Sequence, residues 1–303
     1  MSRDFSPDHT GRDHPGASDR SEGREAAATE RARSDAATPS ADLAPQRSQE
    51  NSRPDADSSD GRVFLHDRDR LYRLSESETR TITELGRFRV IASVDLAQYV
   101  YAGHLDEARS ENRNLIRQGL VRKGIFEGPE AIPRELLTLT KPGYRLLGAN
   151  RLVAEEQAVY HGFVKPKDAN HDADLYRVYQ KEATRIQSEG GKGLRVVLDY
   201  ELRGKISRDL FRFGTAARPE IAERYGLQVV GDKIPIPDLS IEYESREGKI
   251  EKVNLELVTE HYRSRGVAEK VRAGFSLYTP HGEAHHLRSV LDQQALTADI
   301  RSL

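Results

Sequence analysis

Asp238 and Glu256 are the residues on which chemistry is most directly argued. They lie in the stretch IPIPDLSIEYESREGKIEKVNLELV, whose alternation of apolar and polar residues reads as two strands joined by a turn at Glu247-Gly248. Alternation puts Asp238, Ser240 and Glu242 on one face of the first strand and Leu239, Ile241 and Tyr243 on the other. On the second strand, Asn254, Glu256 and Val258 share a face opposite Val253, Leu255 and Leu257. In the right register Asp238 and Glu256 converge, and two carboxylates at short range repel unless a cation sits between them. Hard oxygen donors of this kind suit Mg²⁺ or Mn²⁺. The plainer reading of Asp238 is the first residue of a strand. Glu256 is harder to dismiss, because a charge between Leu255 and Leu257 in a central strand is costly unless it is paired or metal-bound.

A second constellation is basic. Arg109, Arg113 and Arg117 recur at intervals of four, with Asn112 and Asn114 beside them, which makes one stripe along a helix. Arginine reads guanine edges or holds phosphates and asparagine pairs with adenine, so these types suit a helix in the major groove of double-stranded DNA. Arg122 and Lys123 add candidate phosphate contacts at the base of the following strand. The competing reading is a solvated helix face on a protein-binding module. Other signals are weaker. Gly190-Gly191-Lys192-Gly193 precedes a strand and lacks the spacing of a phosphate loop, and His281, His285 and His286 lack a fourth ligand pattern.

The elements that must position these residues are legible in outline. Ser75 and Glu78 form a capping box ahead of Ile82, Leu85 and Phe88 at helical spacing. Ser93 is expected to cap a short second helix with Leu96, Tyr99 and Val100 inward, ending near Gly103. A third helix is expected over 106–118, stopped by Gly119, followed by strands over 120–125 and 136–140 and a helix started by Lys141-Pro142-Gly143. Beyond His161 the pattern predicts a helix over 172–188, strands over 194–198, 239–243 and 253–258, and a helix over 265–278. Strands and helices in alternation indicate an α/β domain.

Composition bounds the rest. The 303-residue chain contains no cysteine and has a formal net charge of -2. That excludes disulfides, thiolate zinc sites and cysteine nucleophiles. No apolar run reaches the length that spans a bilayer, and the N-terminus lacks the apolar core of a secretory signal, so a cytoplasmic protein with no membrane partner is expected. Residues 1–62 are rich in Ser, Asp, Arg, Ala and Pro with few large apolar side chains, which predicts a disordered tail.

Three helices, a strand, a turn and a returning strand make the order of a winged helix. NLIRQGLVRKGIF followed by LLTLTKPGYRLL resembles the recognition helix, wing and closing helix of bacterial winged-helix proteins. Pro237-Asp238 with Glu256 resembles the first two elements of the PD-(D/E)xK motif of metal-dependent nucleases. Val258 stands where that motif has lysine. Lys270, on the following helix, and Lys252, near the hairpin turn, are the candidates to replace it, and Lys270 is better placed to reach back over the sheet. The order NHDADLYRVY, VVLDYELR, IPDLSIEY and LELVTEHYRSRGVAEKVRAGFSLY resembles the replication-relaxation family of plasmids and conjugative elements. That resemblance covers about residues 70–280 and implies a winged helix-turn-helix over 63–160 and a restriction-endonuclease-like α/β domain over 161–280; the tail over 1–62 precedes them and a C-terminal segment over 281–303 follows. It carries over His171, Glu201, Asp238, Glu256 and Lys270 as the matching polar positions.

The function these readings imply is DNA binding in the replication, relaxation or transfer of a mobile element, with other proteins of that process as partners. In the active version, Asp238 and Glu256 hold Mg²⁺ or Mn²⁺ for endonucleolytic cleavage. Glu201 completes the metal shell and Lys270 offsets charge on the phosphate. The alternative is a non-catalytic accessory or regulatory factor with a degenerate nuclease fold, which Val258 favours. A transcription repressor has less need of so large a second domain.

Overall fold

A strand pair that the sequence reading passed over opens the structure. The computed structural model describes residues 61–128, 131–163, 168–259, 264–280, 282, 284–292 and 295–303; the tail expected over 1–62 lies outside them apart from Gly61 and Arg62. Strands β1 (Val63–Asp67) and β2 (Arg70–Leu74) form an antiparallel hairpin that buries Leu65, Tyr72 and Leu74. Helix α1 (Glu76–Phe88) then starts at the expected capping box: the Glu78 amide donates to Ser75 Oγ at 3.0 Å and the Ser75 amide to Glu78 Oε2 at 2.9 Å. Ile82, Leu85 and Phe88 are buried, as their spacing requires.

A two-residue strand β3 (Ile91–Ala92) leads into α2 (Ser93–Tyr99). Ser93 is the first helical residue and Ala92 the cap, with no side-chain cap bond, so the expected serine cap is not formed. Helix α3 (Leu105–Arg117) is followed by β4 (Val121–Glu127) and β5 (Pro133–Leu139), paired from Val121↔Leu139 to Glu127↔Pro133. Strand β3 closes a three-stranded sheet in the order β3-β5-β4. Helix α4 (Lys141–Ala149) starts at Thr140, whose Oγ1 accepts from the Gly143 amide at 3.2 Å, and carries Pro142 in its first turn where no amide donor is missed.

The remaining residues build a five-stranded mixed sheet. Helix α5 (Ala169–Ser188) precedes β6 (Lys192–Leu198), and α6 (Asp199–Phe213) follows β6 without a loop. A 3₁₀ turn (Thr215–Ala217) and α7 (Arg218–Arg224) complete the excursion before β7 (Leu239–Glu244). Strand β8 (Ile250–Leu257), α8 (Ser264–Arg272), β9 (Ser276–Thr279), α9 (Ala284–Asp292) and β10 (Ile300–Ser302) end the chain. The sheet order is β10-β9-β8-β7-β6, with β6, β7 and β8 antiparallel and β8, β9 and β10 parallel.

Three expectations are corrected here. The helix predicted over 265–278 stops at Arg272, because Gly274 takes φ 78° and the β-favouring Phe-Ser-Leu-Tyr-Thr run pairs parallel to β8. Glu201 belongs to the first turn of α6 and not to a strand end. The C-terminal segment after 280, for which no elements are predicted, supplies α9 and β10.

The fold is mixed α and β, and a single apolar core runs through both halves. It includes Leu74, Leu85 and Leu147 from the first half and Tyr176, Ile241 and Leu255 from the second. The Phe88 ring packs on Tyr176 and Tyr179 at 5.0 and 4.9 Å. Polar ties cross the same joint: Arg87 donates to Tyr179 Oη at 3.0 Å and Arg134 to Asp174 at 2.9 Å. The boundary drawn at 160/161 therefore divides the chain but not the core. Among the described residues, no helix is long and apolar enough to cross a membrane.

Candidate functional site

The register of β7 and β8 decides the site. Leu239 pairs with Leu255, so the preceding residue, Asp238, faces Glu256 one step along the ladder. Glu256 is fully buried. Its Oε2 accepts from the Asp238 amide at 3.2 Å, and its Oε1 lies 2.7 Å from Lys270 Nζ. Lys270 also donates to the Ile236 carbonyl at 2.6 Å. The ammonium thus arrives from α8, one crossover beyond β8, while Val258, at the third motif position, is buried and apolar. Asp238 Oδ2 accepts from the Leu257 amide at 3.0 Å and lies 3.4 Å from His171 Nε2. No hydrogen bond engages Asp238 Oδ1 among the described residues.

His171 sits in the first turn of α5 and is the second cation of the group. Burial alone lowers its pKa, but the hydrogen bond and charge of Asp238, helped by Asp172 and Glu256, push it up to about 9. It is therefore protonated at neutral pH. Asp172, its neighbour, is raised to about 6 by burial, with His171 opposing and Asp199 reinforcing the shift. Asp172 Oδ2 is buried without a hydrogen-bond partner among the described residues. Asp199 begins α6, and its amide donates to the Asp238 carbonyl at 3.1 Å. Arg89 lies 4.4 Å from the Tyr200 ring centroid and 5.1 Å from that of Tyr160, and its charge opposes the rise of the Asp172 pKa.

We find no family model, curated protein or solved structure that matches this chain. The structure brings Asp238, Glu256, Lys270 and His171 together. Glu201 is not among them: its carboxylate is taken by Arg195 at 2.7 Å and Lys205 at 2.6 Å, because the start of α6 turns it away from the strand it was read into. Lys252 is likewise engaged elsewhere, with the Tyr225 carbonyl at 2.8 Å and Glu242 at 3.7 Å. Asp172 and Asp199 were missed as site residues. The signal for Asp199 was a carboxylate ending the apolar run Val-Val-Leu; nothing in the sequence marked Arg89, which takes φ 67° at the end of α1.

Chemically, the group offers two adjacent carboxylates, an ammonium and an imidazolium. Among the described residues no group of three or more His, Asp or Glu side chains is placed to hold a metal ion. Two carboxylates are nonetheless the protein share that Mg²⁺ takes when water and substrate phosphate fill its other positions. The unengaged Asp238 Oδ1 fits that role. A cavity of about 550 Å³ elsewhere, lined in part by Arg87, Leu194, Arg195, Glu242 and Tyr243, includes none of these residues.

The basic stripe on α3 is solvent-facing at Arg109, Arg113 and Arg117, which make only local contacts. Asn112 does not share that face: it is buried against the domain, so its expected role in base contact is not available in this conformation. Asn114 is held by Glu78 at 2.5 Å. Arg122 is exposed and lies 5.1 Å over the Phe163 ring, and Lys123 pairs with Glu135 at 3.1 Å.

Proposed function

We propose that this chain binds double-stranded DNA in the replication, relaxation or transfer of a mobile element, and cleaves phosphodiester bonds at the Asp238–Glu256–Lys270 group. Residues 63–160 act as a winged helix that holds duplex through Arg109, Arg113, Arg117 and Arg122, with β4 and β5 as the wing. Residues 161–280 act as a nuclease-like domain of the PD-(D/E)xK kind. The observation that carries the reading is the 2.7 Å contact between Lys270 Nζ and the buried Glu256, directly across the ladder from Asp238. It gives the carboxylate pair a lysine in place of the one that Val258 lacks.

In this reading Asp238 and Glu256 would hold Mg²⁺ or Mn²⁺, which when bound would supply Lewis-acid chemistry at the phosphate. Lys270, fixed by Glu256 and the Ile236 carbonyl, turns its remaining N–H toward a phosphate oxygen and offsets charge that develops there. His171, 3.4 Å from Asp238 Oδ2, orients that carboxylate. Partners from the same mobile-element machinery remain part of the proposal.

The second reading is a DNA-binding accessory factor without cleavage. It is favoured by Glu256, both of whose oxygens already have partners. Incubating the full chain with supercoiled plasmid and Mg²⁺ or Mn²⁺ separates the two. Nicked or linear product that disappears in Asp238→Ala and in Lys270→Ala is the expected result; an intact plasmid in the presence of measurable duplex binding leaves the accessory factor.

A further inference from the structure

Strands β6 and β7 are antiparallel neighbours, a pairing that a two-residue turn can connect. Here residues 199–238 intervene, and their Leu202, Ile206, Ile221, Ala222 and Leu227 pack in one apolar cluster with Val197 of β6 and with Ala273 and Phe275 beyond α8. The excursion leaves and re-enters the sheet at the candidate site, since the Asp199 amide bonds to the Asp238 carbonyl at 3.1 Å. Its far end is unlike its root. Near the root, Arg203 pairs with Asp199 at 2.9 Å and Lys205 with Glu201 at 2.6 Å. Toward the end of α6, Arg208 and Arg212 have no carboxylate at ion-pair distance among the described residues.

Between those two arginines stands Phe211, 94% exposed. Arg208, Phe211 and Arg212 fall at helical spacings of three and four and so share one side of α6. Beside them the half-exposed Phe213 ring already has Arg212 at 5.0 Å and Arg224 at 5.5 Å from its centroid. A bare phenyl ring costs the free protein solvation and contributes nothing to its core. Flat apolar rings interleaved with unpaired guanidinium groups match a single strand of nucleic acid, whose bases stack and whose phosphates need cations.

We propose that the end of α6 is a landing site for single-stranded DNA, with Phe211 stacking on a base and Arg208 and Arg212 meeting the flanking phosphates. The inference deepens the nuclease reading, because the same excursion begins at the carboxylate group. Phe211 follows Asp199 by twelve residues of helix, or ~18 Å at ~1.5 Å per residue.

Fluorescence anisotropy with a labelled oligothymidylate and with a labelled duplex, on the full chain, tests it. Phe211→Ala is expected to weaken oligothymidylate binding roughly tenfold while leaving the melting temperature and duplex binding unchanged. Phe211→Trp is expected to keep strand binding, and Arg208→Ala with Arg212→Ala to weaken it and reduce its salt dependence. Equal strand affinity of wild type and Phe211→Ala, or no strand binding by wild type, overturns the inference. So does a shift from dimer to monomer in Phe211→Ala without loss of strand binding, which would assign the face to a second copy. Asp238-dependent plasmid cleavage that survives alongside unchanged strand binding in Phe211→Ala would remove this inference and leave the nuclease reading standing. Phe211-dependent strand binding without cleavage would do the reverse.

Discussion

Glu182 and Glu256 are both fully buried carboxylates in the same half of the molecule, yet their surroundings differ in a way that separates a structural charge from a reactive one. Glu182 on α5 accepts from Arg185 at 2.6 Å, from Tyr278 Oη at 2.6 Å and from Arg301 of the last strand. Burial alone raises its pKa, but those hydrogen bonds and the Arg301 charge hold it below the usual carboxylate range. Its negative charge is met by more than one cation, and nothing is left to offer. Around Glu256 the balance runs the other way. Lys270 meets its Oε1 at 2.7 Å, while beside it Asp238 Oδ1 and the buried Asp172 Oδ2 have no hydrogen-bond partner among the described residues. Burial of a carboxylate does not mark a site; polar oxygens left without partners beside it do.

The largest expected effect tests the structural side of this contrast. Glu182→Ala leaves Arg185 and Arg301 without their shared partner and Tyr278 Oη without its acceptor, and removes one of the ties between β10 and α5, a loss of ~3 kcal/mol, the low end of what is seen when one member of a buried pair is removed. Urea unfolding of the variant measures it, and a loss below ~1 kcal/mol would erase the distinction between the two glutamates.

Metal response is the next test and should belong to Glu256 alone. Mn²⁺ at a hundredfold excess over its dissociation constant stabilises a protein that binds it only when folded by ~2.7 kcal/mol. Thermal melts of the wild type with added Mn²⁺ should therefore rise, Glu256→Gln should abolish the rise, and Lys270→Ala should retain it. A rise that persists in Glu256→Gln would place the ion elsewhere.

The smallest effect is a pH dependence in metal-free buffer. The pKa of His171 is raised from 6.5 to about 9 in the fold, so its contribution to stability is fully present below about 6.5 and is lost as pH climbs through 9. His171 is partly open to solvent, which limits the contribution to at most about 1 kcal/mol. Wild-type stability should fall between neutral pH and pH ~9.5 more steeply than that of His171→Gln; parallel curves would show that Asp238 does not hold the imidazolium.

Much of the site was legible because strand alternation has a period of two. Pro237-Asp238 and the lone charge between Leu255 and Leu257 could be assigned to one polar face without coordinates, and Lys270 could be nominated because a crossover helix returns over its sheet. Glu201 went wrong for a local reason: Leu198 ends a strand and Asp199 starts a helix with no intervening loop, so the period changes within one residue and the pattern gives no warning. The same abrupt junction hid α6 and with it Phe211. Asn112 looked like part of the basic stripe because it neighbours Arg113, but one residue along a helix is a turn of about 100° toward the interior.

What the sequence determined by itself is therefore what local physics specifies: the capping box at Ser75 and Glu78, the periodic burial of Ile82, Leu85 and Phe88, and the two strands with their turn at Gly248. The tertiary structure decided which distant side chains meet. Registry of Leu239 with Leu255 put Asp238 across from Glu256, α8 brought Lys270 to within 2.7 Å, and the first turn of α5 supplied His171. Those contacts join residues far apart in the chain, and a local pattern carries no term for them, because their geometry follows from how helices and sheet pack around one shared core.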